Sequence, residues 1–133
     1  MTLGWIIRTV YRQRPSMARA QYLRHREGAR EFIAARIAYW QSVQLFAVGR
    51  VSIKNHSRIW GSCSSLGNLN FNWRLVRLPV ELADYVVVHE LCHTIEHNHS
   101  RIFWALVEAL MPDWRVRRAA LRHYHPMSSV YAI

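Results

Sequence analysis

The sequence predicts an α+β fold with a long N-terminal helix, a three-stranded sheet that includes a hairpin, a buried helix with the pattern His-Glu-x-x-His, and C-terminal helices. Three observations predict it. Apolar residues recur at helical spacing over about 17–42, apolar and polar residues alternate over 69–75, and a nearly continuous apolar helical segment begins at 79. With 133 residues and 51% hydrophobic content, the chain is expected to form one domain with its own core.

A long amphipathic helix is predicted from about Met17 to Ser42. Pro15 and Ser16 mark a break before it, and Gly28 weakens its middle. Its apolar face is expected to consist of side chains at helical spacing, which are Leu23, Ala29 or Arg30, Ile33, Ile37 and Trp40.

Three strands are expected after this helix. Val51–Lys54 alternates as a strand does, and residues 58–63 form a second candidate. The third, 69–75, is the clearest, because every odd position is apolar and every even position is polar. Turn-forming residues at 64–68 make 58–75 a predicted hairpin.

The segment from Pro79 to His97 predicts a helix that is apolar on nearly every face. Pro79 suits a first helical turn, and the negative charges of Glu81 and Asp84 suit a helix N-terminus. The three valines at 86–88 favour a strand, but each costs a helix only a few tenths of a kcal/mol, which burial can override. We therefore expect a helix in the middle of the domain.

Two shorter helices are predicted to complete the fold. Ser100 can cap a helix from Arg101 to about Met111, and Pro112 ends it. A basic amphipathic helix then covers residues 113–123.

The pattern His-Glu-x-x-His at 89–93 is the strongest functional signal. Composition alone would produce about 0.02 such matches in a chain of this length, so chance is an unlikely source. On a helix, His89 and His93 share one face with Cβ atoms roughly 5–6 Å apart, close enough to bind one metal ion. Glu90 lies beside them, where a carboxylate can take a proton from water activated by the metal.

A catalytic zinc site usually needs a third protein ligand and keeps one position open. His99 is the first candidate, because a turn before the helix cap could return its imidazole to the metal. His97 lies about two turns from His89, or roughly 12 Å, which is too far while the helix continues. Glu108 on the following helix would be a carboxylate ligand.

Other reactive side chains have simpler explanations. Cys63 and Cys92 form no disulfide or metal-binding pattern and are expected to be small buried side chains in a reducing, cytoplasmic setting, with a reactive thiol as the alternative for Cys63. No segment has the pattern of a signal peptide or a membrane span. His123, Tyr124 and His125 could donate a hydrogen bond to a developing oxyanion, although residues that end a helix at the surface are commoner.

Positive charge is concentrated in the first part of the chain. The formal charge is +10, of which residues 1–79 carry about +11 by count of their side chains and the rest about −1. The arginines of the first 36 residues could contact phosphates of a nucleic acid or an acidic partner, or could form a solvated helix face.

The segments RIWGSCSSLGNLNFNWRLVRLP and ADYVVVHELCHTIEHNHSRIFWALVEALMPDW resemble the YgjP-like metallopeptidase domain, a zincin family related to the SprT-like proteases. The resemblance covers about residues 30–115. It implies a minimal zincin-like fold, with Zn²⁺ bound by His89, His93 and His99 and with Glu90 as the catalytic carboxylate. We accordingly expect a monomeric peptidase domain that acts on polypeptides.

The expected organisation is an Arg-rich segment over 1–25, the zincin-like domain over 26–125 and a tail over 126–133. The first segment stands where the family usually has a β-rich section, which leaves substrate recognition open. A metzincin is disfavoured, because its pattern requires Gly where this chain has Glu96.

Two functional questions stay open. Asn70 and Asn72, on the polar side of the third predicted strand, could align an extended peptide by strand addition or could serve the fold alone. The alternative to a peptidase is a nucleic-acid-associated zinc-binding module, with or without protease activity on DNA-bound proteins.

Overall fold

The computed structural model describes residues 14–124. Within this range the fold consists of four α-helices, a short 3-10 helix and a three-stranded sheet, so the predicted α+β class is confirmed. In chain order the elements are α1 (Met17–Val43), β1 (Val51–Lys54), β2 (Gly61–Cys63), β3 (Leu69–Asn72), a 3-10 helix (Trp73–Arg77), α2 (Val80–His93), α3 (Arg101–Leu110) and α4 (Trp114–Leu121).

Helix α1 forms as predicted. The Ser16 hydroxyl accepts a hydrogen bond from the Arg19 amide at 3.2 Å and caps its first turn. Leu23, which we expected on the apolar face, is instead exposed. The residues that do face the core are Ala29, Ile33, Ile37 and Trp40.

The first half of α1 already packs on the rest of the domain. The Tyr22 hydroxyl donates to the Ile53 carbonyl at 3.1 Å, and the His25 ring stacks on Trp73 with ring centroids 5.2 Å apart. One continuous helix therefore crosses residues 25 and 26, where we placed the boundary between the Arg-rich segment and the zincin-like domain.

The sheet has the order β1-β3-β2, with β1 parallel and β2 antiparallel to β3. The hairpin prediction is confirmed by the β2–β3 pair, but the predicted strand over 69–75 is wrong beyond Asn72. There the Asn72 side chain accepts a hydrogen bond from the Arg74 amide at 3.0 Å and caps the 3-10 helix. The alternation of apolar and polar residues extends past Asn72 because Trp73 and Leu75 are buried in the 3-10 helix, as they would also be in a strand.

The central position of β3 rules out strand addition along it. Both of its backbone edges are paired, so no edge beside Asn70 and Asn72 is left for a peptide. Asn70 donates to the Ser62 hydroxyl at 3.2 Å on β2. Asn72 is buried and donates to the His56 and Ile59 carbonyls at 2.7 and 3.0 Å. Their contacts are those of residues that hold the fold together.

Helix α2 lies in the centre of the domain, as predicted. Every residue from Leu82 to His93 is buried, because α1, β2, α3, α4 and the 3-10 helix all pack against α2. This burial on all sides explains why three consecutive valines adopt a helix. Near the start of α2, Asp84 accepts two hydrogen bonds from Arg36 of α1 at 2.6 and 2.7 Å, which ties the two helices together.

Helices α3 and α4 complete the core near the predicted positions. The Ser100 hydroxyl accepts from the Phe103 amide at 3.3 Å and caps α3. Among residues 14–124, none of the helices is sufficiently long and apolar to cross a membrane.

Candidate metal centre

Helix α2 ends earlier than predicted. We expected helical structure as far as His97, but the helix ends at His93 with Thr94 as its C-cap. The Thr94 hydroxyl donates to the Leu91 carbonyl at 2.6 Å and closes the last turn. The chain is then free to turn back towards the helix before α3 begins.

The structure brings together the imidazoles of His89, His93 and His99. Their Nε2 atoms are 3.1 Å apart in each of the three pairs. His89 and His93 come from consecutive turns of α2, whereas His99 comes from the turn immediately before the α3 cap. The three rings therefore converge on one point from two sides of a short loop.

The neighbouring backbone sets the tautomer of His93. Its Nδ1 atom lies 3.0 Å from the Glu96 carbonyl oxygen. A carbonyl can only accept, so Nδ1 carries the proton and Nε2 of the neutral ring presents a lone pair to the other two histidines. This is the arrangement of a metal-binding imidazole whose second nitrogen is held by a backbone acceptor.

Two aromatic residues of α3 hold the imidazoles in place. The Phe103 ring stacks on His93 with centroids 4.3 Å apart and meets the edges of His89 and His99 at 4.9 and 5.1 Å. Trp104 stacks on His99 at 5.8 Å. The packing of these rings holds the three imidazoles with their Nε2 atoms close together.

The environment also keeps the imidazoles neutral. Burial lowers the pKa of His89 well below its ordinary value, and its two histidine neighbours and Arg118 lower it further. Burial is also the main cause of the lowered pKa values of His93 and His99. Neutral imidazoles are the form that binds metal ions, so the protonation state suits such a ligand at neutral pH.

The donor set fits a small divalent cation that prefers nitrogen. Tetrahedral Zn²⁺ with Zn–N bonds of 2.0–2.1 Å requires nitrogens about 3.3 Å apart. The observed 3.1 Å is close to that value. Three mutually adjacent lone pairs without a cation would repel one another, so the geometry favours a bound metal.

Glu90 directly follows His89 on α2, and its side chain lies on the side of the helix that faces β2. Its side chain is buried, and burial raises its pKa to about 8. Gly61 of β2 makes room for it, because a Cβ atom at position 61 would lie 3.0 Å from the Glu90 Cγ atom and 3.3 Å from Oε1. The carboxyl group is thus packed against the backbone of a strand.

The other ligand candidates lie outside the cluster. His97 lies after the end of α2 and is exposed. We predicted its exclusion correctly but for another reason, namely its distance from His89 along a continuing helix. Glu108 is also exposed and forms an ion pair with Arg115 at 3.2 Å.

The other described side chains that the sequence singled out, on Cys63, Cys92, His123 and Tyr124, do not belong to the cluster of three imidazoles. Cys92 is fully buried in the core, and Cys63 is half-buried and donates to the Ser64 carbonyl at 3.4 Å. His123 is exposed, and Tyr124 packs against the core. His125 lies outside the described residues.

Sequence reasoning did not assign roles to Gly61, Phe103 or Trp104. Phe103 and Trp104 follow the Ser100 cap at the spacing that returns a side chain to the preceding turn, which is a usable signal. Gly61 had no such signal, since its importance depends on the distance from β2 to α2.

The chain is similar to known metallopeptidases in sequence and in fold. The model of the YgjP-like metallopeptidase domain matches residues 4–124. A solved structure, that of the metallopeptidase zymogen of Pyrococcus abyssi abylysin, has a TM-score of 0.65 and 18% identity over 74% of this chain and 99% of the other. At this identity the likeness concerns the fold, and it bears out the predicted resemblance to a metallopeptidase fold. No curated protein sequence matches the chain.

The close contact at Gly61 generates a test with an internal control. We expect Gly61→Ala to lower the free energy of unfolding by about 1–2 kcal/mol, because the added methyl group crowds Glu90 and the Asn70 carbonyl. Gly28→Ala on α1 should raise it by about 0.5–1 kcal/mol, since a Cβ there meets nothing within 4 Å and alanine favours a helix. Chemical denaturation of both variants measures these effects, and equal stability of Gly61→Ala and the unchanged chain would contradict the argument.

The buried carboxyl of Glu90 predicts a pH dependence in the metal-free protein. Its folded pKa of about 8 exceeds the usual value of about 4.3 in an unfolded chain, so the folded state binds the extra proton between these values. The free energy of unfolding should therefore fall as pH rises from 5 to 8. Glu90→Gln has no such proton, so its stability advantage over the unchanged chain should grow over this range. Unfolding with chelator at several pH values measures the difference, and a constant difference would refute the prediction.

Proposed function

Because the chain belongs to the YgjP-like metallopeptidase domain family, we propose that it is a zinc-dependent peptidase in which His89, His93 and His99 bind the metal. Glu90 is its general base and acid. The observation that carries this proposal is the meeting of three neutral imidazole nitrogens, 3.1 Å apart, together with the buried Glu90 that directly follows His89 on α2. Polypeptides are the substrates that membership of a peptidase family implies.

The choice of zinc rests on the donor set. Three neutral nitrogens suit Zn²⁺ better than Ca²⁺ or Mg²⁺, which prefer oxygen ligands. When bound, zinc supplies Lewis acidity that activates water and polarises a peptide carbonyl. With three protein ligands the site keeps a position for the reaction, unlike a closed structural site with four.

Glu90 is suited to move the proton. In its ionised form the carboxylate accepts a proton from the water that attacks the peptide carbonyl, and it then donates that proton to the leaving amine. Its burial excludes competing solvent, and a positive charge next to it would lower the pKa that burial raises. A single carboxyl can therefore act as base and then as acid at neutral pH.

The substrate is proposed to lie along β2. Within the described residues β2 is an edge strand of the sheet, and its Gly61 contacts Glu90. An extended peptide paired with that edge would pass next to the carboxylate. This position replaces peptide pairing beside Asn70 and Asn72, which was one of the two roles that the sequence left open for these residues.

A nucleic-acid-associated role is the second candidate. Five arginines between residues 14 and 30 are exposed, namely Arg14, Arg19, Arg24, Arg26 and Arg30. The carboxylate oxygens of Glu27 lie 3.7 Å from Nε of Arg26 and 3.4 Å from Nε of Arg30, and this negative charge offsets part of the positive charge. Nucleic-acid binding stays a prediction, and the salt dependence of DNA affinity is the measurement that bears on it.

The cellular setting is likewise a proposal. Both cysteines are free thiols in the structure, which supports the predicted reducing, cytoplasmic environment. A monomeric state also stays a prediction.

The histidines on either side of Asn98 separate the ligand assignment from nonspecific metal binding. We expect the unchanged chain and His97→Ala to retain about one zinc per chain, because His97 is exposed and outside the cluster. His99→Ala should lose stoichiometric zinc, since only two ligands remain. Metal analysis after dialysis measures the content, and full zinc in His99→Ala would refute the assignment.

The role of Glu90 is tested by cleavage of an unfolded protein or a peptide mixture. Glu90→Gln should retain its zinc and lose about 10²–10⁴-fold in rate, because the amide cannot carry the proton. Glu31→Gln, which alters an exposed carboxylate on α1, is the matched control and should cleave normally. An undiminished rate in zinc-loaded Glu90→Gln would exclude the proposed mechanism.

A further inference from the structure

A row of aromatic rings leads away from the metal centre. Trp104 of α3 stacks on His99 at 5.8 Å and on Trp114 of α4 at 4.2 Å. Trp114 and Arg115 line two open grooves, which together form one surface at the end of this row. We call this surface the arginine groove and define it by Arg101, Trp104, Trp114, Arg115, Arg118 and Arg122.

The arginine groove is strongly cationic. Residues 80–133 contain five arginines, and four of them lie in this groove. Glu108 is the acidic residue of its lining, and it pairs with Arg115 at 3.2 Å. The lining therefore has a net charge of about +3, in a half of the chain whose overall charge is slightly negative.

Arg118 is the arginine of this set that is held towards the metal centre. Its Cζ atom lies 5.3 Å from the Trp104 ring centroid, where a cation–π contact fixes the guanidinium. Its charge contributes to the lowered pKa values of His89 and His99, which agrees with that position. Arg115 differs, because its guanidinium lies over Trp114 at 4.5 Å, one ring farther along the row.

The distances place Arg118 within reach of a bound peptide. Its Cζ atom is 5.3 Å from the Trp104 centroid, which is 5.8 Å from the His99 centroid, so Arg118 lies at most about 11 Å from His99. An extended peptide advances about 3.3 Å per residue. A guanidinium at that distance can meet a group on the substrate within about three residues of the bond at the metal centre.

We propose that Arg118, with Arg122 beside it, forms a subsite that binds a carboxylate of the polypeptide substrate. The inference rests on the proposed peptidase function and names its substrate class, which is peptides with an acidic group close to the cleaved bond. Guanidinium groups bind carboxylates through two parallel hydrogen bonds, and the surplus of positive charge in the groove favours an anionic partner. The carboxylate can belong to an Asp or Glu side chain or to the peptide C-terminus.

The test measures binding directly, so that it does not depend on cleavage. Zinc-loaded Glu90→Gln protein is titrated with N-acetylated octapeptide amides that carry one Glu at successive positions, each with a Gln counterpart. Glutamate in at least one position should strengthen binding about tenfold over Gln. Adding Arg118→Gln should reduce this preference to about twofold, and Arg118→Lys, which keeps the charge without the planar fork, should fall between. Arg30→Gln, an exposed arginine on α1, is the charge-matched control and should keep the full preference.

A second series distinguishes the two sources of the carboxylate. Peptides without acidic side chains are compared as free acids and as amides. A preference for the free acid that requires Arg118 would assign the subsite to the terminal carboxylate, whereas a preference confined to internal Glu would assign it to a side chain. Circular dichroism and zinc content of each variant show that a lost preference is not a lost fold.

Three results would overturn the inference. The first is equal affinity for Glu and Gln peptides together with equal affinity for free acids and amides, and the second is a preference that survives Arg118→Gln. The third is Arg118-dependent binding of oligothymidylate that is stronger than the binding of any peptide. The proposed function fails separately. If the unchanged chain cleaves no peptide while Glu peptides still bind through Arg118, the subsite stands and the peptidase proposal falls. If the unchanged chain cleaves peptides but binds Glu and Gln forms equally, the reverse is true.

Discussion

The burial of α2 on every side is the constraint on which the rest of the structure depends. A helix in the centre of a small domain must present functional side chains from a surface that is also core. Here His89, Glu90 and His93 occupy positions that would otherwise carry apolar residues. Five surrounding elements hold the backbone of α2, so the positions of these groups vary little.

That position has an energetic cost. Within the described residues, neither the Nδ1 atom of His89 nor the Oε2 atom of Glu90 has a hydrogen-bond partner, and each is buried. Buried polar atoms without partners cost roughly 1–3 kcal/mol each. The apolar core and the Arg36–Asp84 pair at the start of α2 must offset this cost in the absence of a ligand. A domain of this kind gives up stability at the site that its function requires.

Local pattern was sufficient for the parts of the fold that depend on neighbours in sequence. The motif helix, the capped helix after Ser100 and the hairpin all follow from periodicity and turn residues. Periodicity reports burial and not the backbone conformation itself, which is why the alternation through Trp73 and Leu75 was taken for a strand. The parallel pairing of β1 with β3, the approach of Gly61 to Glu90 and the gathering of arginines on α3 and α4 join distant segments. No spacing in the sequence encodes such contacts. The count of charges along the chain predicted a cationic surface only in the first half, and it therefore missed the arginine groove.

The short connection from His93 to His99 has a consequence for metal affinity. Both ends of this connection are fixed, by the last turn of α2 and by the Ser100 cap of α3, and the Glu96 carbonyl holds one imidazole on the way. The three imidazoles are thus linked by a short backbone segment that is anchored at both ends. Little chain entropy remains to be lost on binding, so the affinity of the site depends mainly on the strength of the metal–nitrogen bonds. A chelator must therefore compete with three imidazoles that the fold holds together, which favours slow exchange of the proposed metal.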